Sequence, residues 1–280
     1  TTLGLIGESG CGKSTTGRCI LNLYKPTEGK ILYYKDKKEI QISTLSSNNM
    51  RRFRVNMQMI FQDPFSSLNP RMTVLDLISE PLKSYKIGNE KQNIQVVKEL
   101  LNAVGLNQND MLRYPHTFSG GQRQRIGIAR AIVQKPEFVV CDEPVSALDV
   151  TIQSQIINLL QDLQDKYKLT YLFISHDISI IKHVSDTIAV MYLGKIIEIG
   201  TTEQIINEPK HPYTIDLIKS VPTLESKIIK KELNSEMPRH SEYGCNYVNR
   251  CVRSTDLCVS KNPELSIFAK NHYISCHLYN

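Results

Sequence analysis

The run Gly7-Glu8-Ser9-Gly10-Cys11-Gly12-Lys13-Ser14 has the spacing G-x-x-x-x-G-K-[ST], which fits the capture of a nucleoside triphosphate. Its glycines let successive backbone N–H groups turn toward one point, and Lys13 can reach the β and γ phosphates. The Ser14 hydroxyl, followed by Thr15, can ligate magnesium, and the dipole of a helix starting here adds positive potential. A plain glycine turn is the competing reading, weakened by the apolar strand before the loop and the helical stretch after it. Phosphoryl transfer also needs an acid to hold the metal and a group to prepare water. Phe138-Val139-Val140-Cys141-Asp142-Glu143 supplies both at the end of an apolar strand, in the Walker B pattern. Asp142 would hold magnesium, directly or through water, and Glu143 would act as general base or orient the water that attacks the γ phosphate. An Asp-Glu pair can instead cap the following helix, a reading that loses weight once the upstream loop is considered.

These groups must be held by an α/β framework. A strand is expected over Leu3–Ile6, then the loop, then a helix from about Ser14 to Leu23. Short alternating segments, Lys30–Tyr34, Glu39–Ile42 and Asn56–Ile60, predict strands around a polar turn at 35–38. Residues 73–133 read as a mostly helical insert, with Val96, Val97, Leu100, Leu101 and Val104 on one face of a helix over Asn93–Val104. Phe138–Cys141 predicts a buried strand. Ile152, Ile156, Leu159, Leu160 and Leu163 then repeat at helical spacing before a strand over Thr170–Ile174, which predicts a right-handed parallel unit. Thr187–Met191 and Lys195–Ile199 predict a hairpin around Leu193-Gly194. Residues 201–223 read as helical, and the polar stretch 225–243, with Pro238, as a linker. The expected domains are therefore 1–200, carrying the nucleotide chemistry, and 201–280, carrying a cysteine cluster at 245–276.

Composition narrows the function classes. The 280 residues are 41% hydrophobic and 22% charged, which excludes collagen, extended disorder and coiled coil. No apolar run of 18 or so residues is present, and Thr1-Thr2-Leu3-Gly4 has no signal-peptide pattern, so a membrane role is expected to run through a partner. Thirty-four basic against 28 acidic residues give a net charge of +6. Seven of the basic residues fall in 30–54 against two acidic ones, a mild footprint for a nucleic-acid binder. Of the seven cysteines, Cys11, Cys19 and Cys141 stand apart, while Cys245, Cys251, Cys258 and Cys276 crowd together with the spacing C-x5-C-x6-C-x17-C. Reduced thiols are expected, and a clustered set reads as a metal site before a disulfide framework. Zinc ribbons carry a tight C-x-x-C that this tail lacks.

The string between the two carboxylate and phosphate motifs narrows the choice further. Phe118-Ser119-Gly120-Gly121-Gln122 resembles the signature of ABC-type ATPases, with Phe118 where Leu is more usual. On its residues alone, Ser119 caps a helix through Ile132, and Gly120 and Gly121 permit close approach to an anion. Arg123, Arg125 and Arg130 are expected mostly on a solvated face of that helix. Gln62, within Ile60-Phe61-Gln62-Asp63, resembles the Q-loop glutamine that reaches magnesium. Ser146-Ala147-Leu148-Asp149 resembles the D-loop, and His176, within Ile174-Ser175-His176-Asp177, resembles the switch histidine that contacts the γ phosphate. His116, His183, His211, His240 and His272 have no such context.

The resemblance implies a P-loop NTPase fold of ABC type, with a RecA-like core, a helical subdomain at about 73–133 and a small cysteine-bearing extension. It also implies two ATP molecules, with Mg2+, sandwiched in a head-to-tail pair of ATPase subunits. The segment from Met59 to Met72, His211-Pro212-Tyr213-Thr214 and the cysteine tail resemble the ATPase subunits of bacterial oligopeptide and dipeptide importers, nearest the oligopeptide permease F-type subunit. The implied function is ATP hydrolysis that energises peptide import, at the cytoplasmic face of the cell membrane. The implied partners are a second, related ATPase subunit, two membrane permease subunits and, indirectly, an extracytoplasmic peptide-binding protein, with no nucleic acid. Importers of nickel or antimicrobial peptides in the same family are the alternative, and a soluble ABC ATPase acting on nucleic acid, with Lys35, Lys37 and Lys38 as its footprint, is the more distant one. The same branch implies a [4Fe-4S] cluster on Cys245, Cys251, Cys258 and Cys276; Zn2+ and free or redox-active thiols remain the other readings, with His277 a secondary ligand candidate. Such relatives carry further strands and an adenine-stacking aromatic residue upstream of the loop. The sequence begins six residues before Gly7, so the expectation is an N-terminally truncated chain.

Overall fold

The computed structural model describes residues 1–35, 37–220 and 243–279. Most of the expected linker at 225–243 and His240 lie outside the described residues. The chain divides into two units, one formed by Thr1 with Ser14–Phe173 and the other by Thr2–Lys13 with Ile174–Asn280.

The first unit takes up α1 (Lys13–Ile20) after its first residue, then β2 (Leu32–Lys35) and β3 (Lys38–Gln41), an antiparallel pair in register from Leu32↔Gln41 to Lys35↔Lys38. Helix α2 (Ser47–Phe53) leads into β4 (Met57–Ile60), which pairs in parallel with β5 (Phe138–Asp142), Met57 opposite Phe138 and Ile60 opposite Cys141. On the other side of β5 runs β6 (Thr170–Ile174), reached through α7 (Val150–Tyr167). Val139, Val140 and Cys141 are fully buried, as are Ile156, Leu160 and Leu163 on the inner stripe of α7. Continuous burial of a short strand is what coverage on both faces requires.

Between β4 and β5 lies α3 (Pro64–Ser67), and the stretch expected to be helical at 73–133 forms α4 (Val74–Ser84), α5 (Glu90–Ala103) and α6 (Gly120–Ile132). Val74, Ile78, Val97, Leu101, Val104, Ile126 and Ile128 make its dry core. Each long helix starts on a side-chain cap: Thr73 for α4, and reciprocal capping boxes Asn89/Gln92 for α5 and Ser119/Gln122 for α6. These caps satisfy N–H groups that have no partner within the helix.

In the second unit β1 (Thr2–Ile6) pairs in parallel with β7 (Thr187–Tyr192), and β7 turns antiparallel into β8 (Lys195–Thr201). The turn places Leu193 at φ 43° and Gly194 at φ 76°, the two positive values that a tight two-residue hairpin demands. The stretch expected to be helical from 201 onward is two helices, α9 (Thr202–Asn207) and α10 (Pro212–Lys219), separated at Pro209. After α8 (Ile178–Val184) and α11 (Asp256–Ser260), the tail contributes β9 (Ser266–Ala269) and β10 (His272–Ile274). Strand β10 pairs antiparallel with β8, Tyr273 opposite Ile199, so the order is β1-β7-β8-β10-β9. Among the described residues no helix is long and apolar enough to cross a membrane.

Candidate active site

Strand β1 delivers the chain to Gly7, where a Cβ would stand 2.2 Å from the Met191 carbonyl oxygen. Only glycine lets the loop leave the strand that close to β7. Beyond it the Lys13 ammonium, 5% exposed, folds back and donates to the carbonyls of Gly7 at 2.8 Å and Glu8 at 3.0 Å. The Gly194 N–H donates to the Cys11 carbonyl at 2.8 Å, tying the loop to the β7–β8 turn. Ser9 and Gly10 are exposed at the crest of the loop, with Thr15 exposed just beyond it. Burial holds the Cys11 thiol above its ordinary pKa, so it stays neutral inside a loop built for anions.

In the first unit the Ser14 hydroxyl donates to Asp142 Oδ1 at 2.7 Å, across 128 residues of sequence. Asp142 is 1% exposed. The two oxygens expected to share a magnesium ion therefore already meet, one at the start of α1 and the other at the end of β5. One residue further, Glu143 has φ 44°, a left-handed conformation that costs a non-glycine residue about 1–3 kcal/mol and concentrates at functional sites. Its Oε2 accepts from Gln62 Nε2 at 2.9 Å, which brings together two residues singled out from separate strings. The Ser146 hydroxyl donates to the Glu143 carbonyl at 3.1 Å, so the following turn is fastened to the same residue.

Ser119 accepts from the Gln122 N–H at 3.3 Å, and Gln122 returns the bond to the Ser119 N–H at 3.0 Å. A Cβ on Gly121 would lie 2.6 Å from Ile152 Cγ2, and one on Gly120 3.5 Å from Leu148 Cδ2. These glycines let the start of α6 lie against the Leu148 turn and α7. Asp149 caps α7 by accepting from the Ile152 N–H at 3.0 Å. His176 is exposed just after β6, ahead of Asp177, which caps α8.

The arginines of α6 correct the expectation of a solvated face. Arg123 Nε donates to the Pro115 carbonyl at 2.8 Å, and its guanidinium lies 4.1 Å from the Phe65 ring centroid. Arg125 donates to the Val104 carbonyl at 2.6 Å and Arg130 to the Ser67 carbonyl at 2.7 Å. Burial lowers the pKa of both Arg125 and Arg130. The three cations bind carbonyls at loop ends, where backbone acceptors would otherwise go unpaired.

In the second unit the four tail cysteines line one small cavity, together with His211 and Tyr247. Burial raises the thiols of Cys245 and Cys251, and pushes that of Cys276 up to about 11. All seven cysteines are free thiols. Among the described residues no three of His, Cys, Asp and Glu converge closely enough to hold a metal ion. The donor types thus suit iron or zinc, and the thiols share a cavity without ligating geometry.

Three residues of the second unit went unpredicted. The Tyr213 hydroxyl accepts the Glu8 N–H at 2.8 Å, and Arg250 forks onto the Glu8 carboxylate at 2.9 and 3.0 Å. Glu198, fully buried, accepts from the Lys210 and His211 N–H groups at 2.9 Å and bonds His272 Nε2 at 2.8 Å. Tyr213 sat in a string already noted as distinctive. Nothing in the sequence marked the other two.

Residues 1–146 match the family model described as ABC transporter, and residues 197–258 match the one described as oligopeptide/dipeptide transporter, C-terminal region. The chain is 48% identical to the oligopeptide transport ATP-binding protein AppF of Bacillus subtilis, over all of this chain and 86% of that protein. It is 53% identical to the oligopeptide transport ATP-binding protein OppF of the same organism, over 79% of this chain and 72% of that protein. Among solved structures, the dimeric ATP-binding cassette MJ0796 in a post-hydrolysis state with ADP and Pi is similar at 28% identity and TM-score 0.63, covering 72% of this chain and 85% of that one. The cbiO1 protein of Clostridium perfringens, part of an ABC transporter complex, is similar at 28% identity and TM-score 0.65, covering 74% and 79%.

Proposed function

Since the chain belongs to the ABC transporter family of ATPases, we propose that it binds and hydrolyses ATP to energise the import of peptides through a membrane permease complex. The observation that carries the reading is the Ser14–Asp142 bond, which joins the phosphate loop to the acid that ends β5. Lys13 and the loop N–H groups hold the triphosphate. Ser14, Asp142 and Gln62 are the residues that would hold Mg2+, whose chemistry is to neutralise charge on the phosphates. Glu143, braced by Gln62, takes up or orients the proton of the attacking water, and His176 contacts the γ phosphate. The Ser119–Gln122 turn and Asp149 serve the loop of a second, related ATPase subunit, so two half-sites close over shared ATP.

In this reading residues 1–200 form the ATPase domain, with the helical subdomain at about 73–133 facing the two permease subunits. Residues 201–280 form the extension typical of oligopeptide and dipeptide transporters. The subunit lies peripherally on the cytoplasmic face of the cell membrane and is served indirectly by an extracytoplasmic peptide-binding protein. Its relatives' names support peptides over nickel. The iron-sulfur reading rests only on Cys245, Cys251, Cys258 and Cys276 lining one cavity, and the four thiols would have to draw together from their present positions to ligate a cluster. The nucleic-acid reading loses its footprint in part, because Lys35 is engaged by Glu137.

Replacing Glu143 by Gln removes the proton acceptor while keeping the shape. Turnover should fall by about 100-fold or more, while ATP binding persists and ATP-loaded pairs accumulate in sedimentation. Unchanged hydrolysis overturns the assignment.

A further inference from the structure

Glu8 puts a carboxylate in the second position of a loop whose work is to attract a polyanion, and the second unit handles that charge in a specific way. Arg250 donates from both terminal nitrogens to the two Glu8 oxygens, at 3.0 and 2.9 Å. That parallel fork is the geometry that distinguishes arginine from lysine and makes the pair directional. The guanidinium is held on its other sides by aromatic faces, 5.9 Å from the Tyr192 centroid and 5.6 Å from that of Tyr247. Both tyrosines are buried, and they pack with Tyr213 in one cluster. Tyr213 contributes a second fastening, since its hydroxyl accepts the Glu8 N–H at 2.8 Å. Tyr247 is itself fixed, donating to Asp216 Oδ2 at 2.6 Å.

The arginine sits on a short turn that the tail holds firmly. The Cys245 N–H donates to the Cys258 carbonyl at 2.8 Å, the Arg250 N–H to the Tyr247 carbonyl at 3.0 Å and the Cys251 N–H to the Val248 carbonyl at 3.3 Å. Seen from the loop, a rigid tail element delivers one positive charge to the only carboxylate among residues 7–14.

We propose that Arg250 is a positioning residue for the phosphate loop: by pairing with Glu8 it cancels the one charge there that opposes a triphosphate, so the turn between Cys245 and Cys251 sets the affinity for ATP. This rests on the ATPase reading above. Without Arg250 the carboxylate is left beside the incoming phosphates, and a like charge at that range weakens binding. The loss is electrostatic and acts through Glu8, so it depends on Glu8 being charged.

A double-mutant cycle in the whole protein separates this from a structural role. MgATP binding is measured calorimetrically for the parent, Arg250→Met, Glu8→Gln and the double variant, with thermal unfolding followed in parallel. Arg250→Met should weaken binding by about five- to fifty-fold in the parent background, and by less than about twofold in the Glu8→Gln background. In steady state the loss should appear in KM, with kcat retained within about threefold. Arg250→Lys, which keeps the charge and loses the fork, should fall between parent and Arg250→Met and guards against a variant that fails to fold. Equal losses in both backgrounds, or no loss in either, overturn the proposal while leaving the ATPase reading intact. A parent that does not bind MgATP overturns both.

Discussion

At the scale of single residues the site combines strain and pairing. The left-handed backbone at Glu143 aims its carboxylate at Gln62, and the bond from Gln62 with the Ser146 clasp holds it there. A different residue gives the stability a pH dependence. His211 is 1% exposed, its Nδ1 accepts the Tyr213 N–H at 3.0 Å, and burial lowers its pKa from 6.5 to about 4. Because the unfolded chain takes up the proton first, His211 costs no stability above pH 6.5 and progressively more as pH falls from 6.5 to 4, by about 3 kcal/mol at most. Denaturant unfolding should show stability rising with pH across that window, and His211→Asn, which keeps a capping acceptor, should flatten the slope. A slope that survives the substitution would assign it to other groups.

At the scale of elements, α6 shows how one helix is fixed both at its start and along its length. Its capped start carries Ser119 to Gln122, its glycines settle against α7, and its arginines bind the carbonyls of Pro115, Val104 and Ser67. Two glycines in the same helix should therefore respond oppositely. Gly121→Val drives a side chain into Ile152, already 2.6 Å from a bare Cβ, and should destabilise by about 1–3 kcal/mol. Gly127→Ala meets nothing within 4 Å and should stabilise by about 0.5–1 kcal/mol through helix propensity. Equilibrium unfolding of the two variants checks both signs, and a stable Gly121→Val would mean that α6 and α7 can separate without cost.

At the scale of the molecule, the tail of the second unit is built into that unit's sheet. Strand β10 lies on β8, and buried Glu198 fastens the His272 side chain and the start of α10 to the same point. A carboxylate taken out of water this completely is tolerable only with its lone pairs satisfied, and three donors satisfy it here. The same packing gathers four thiols around one cavity. If they hold a cluster, protein prepared without oxygen should carry about four iron and four acid-labile sulfide per chain, and Cys276→Ser should lower both together. Zinc without sulfide, or neither element, would reject the cluster.

Much of the local structure at the candidate site could be read from the sequence because its groups lie in short strings: residues 7–14 form one turn, 119–122 one helix start, and 138–143 one strand end. Their chemistry follows from local backbone geometry that neighbouring residues dictate. Apolar periodicity likewise announced β5, α7 and the helical insert, since burial of one face repeats at a fixed interval along the chain. The failures share a cause of the opposite kind. The carbonyl acceptors of Arg123, Arg125 and Arg130 leave no mark in residue identity, because every residue carries a carbonyl. Glu8 and Arg250 are 242 positions apart, and no spacing rule links them. The sequence by itself thus determined the family and the strings proposed to bind and cleave a triphosphate. Only the tertiary structure decided which distant side chains brace them, because long-range pairing depends on how packed elements bring the chain together in space.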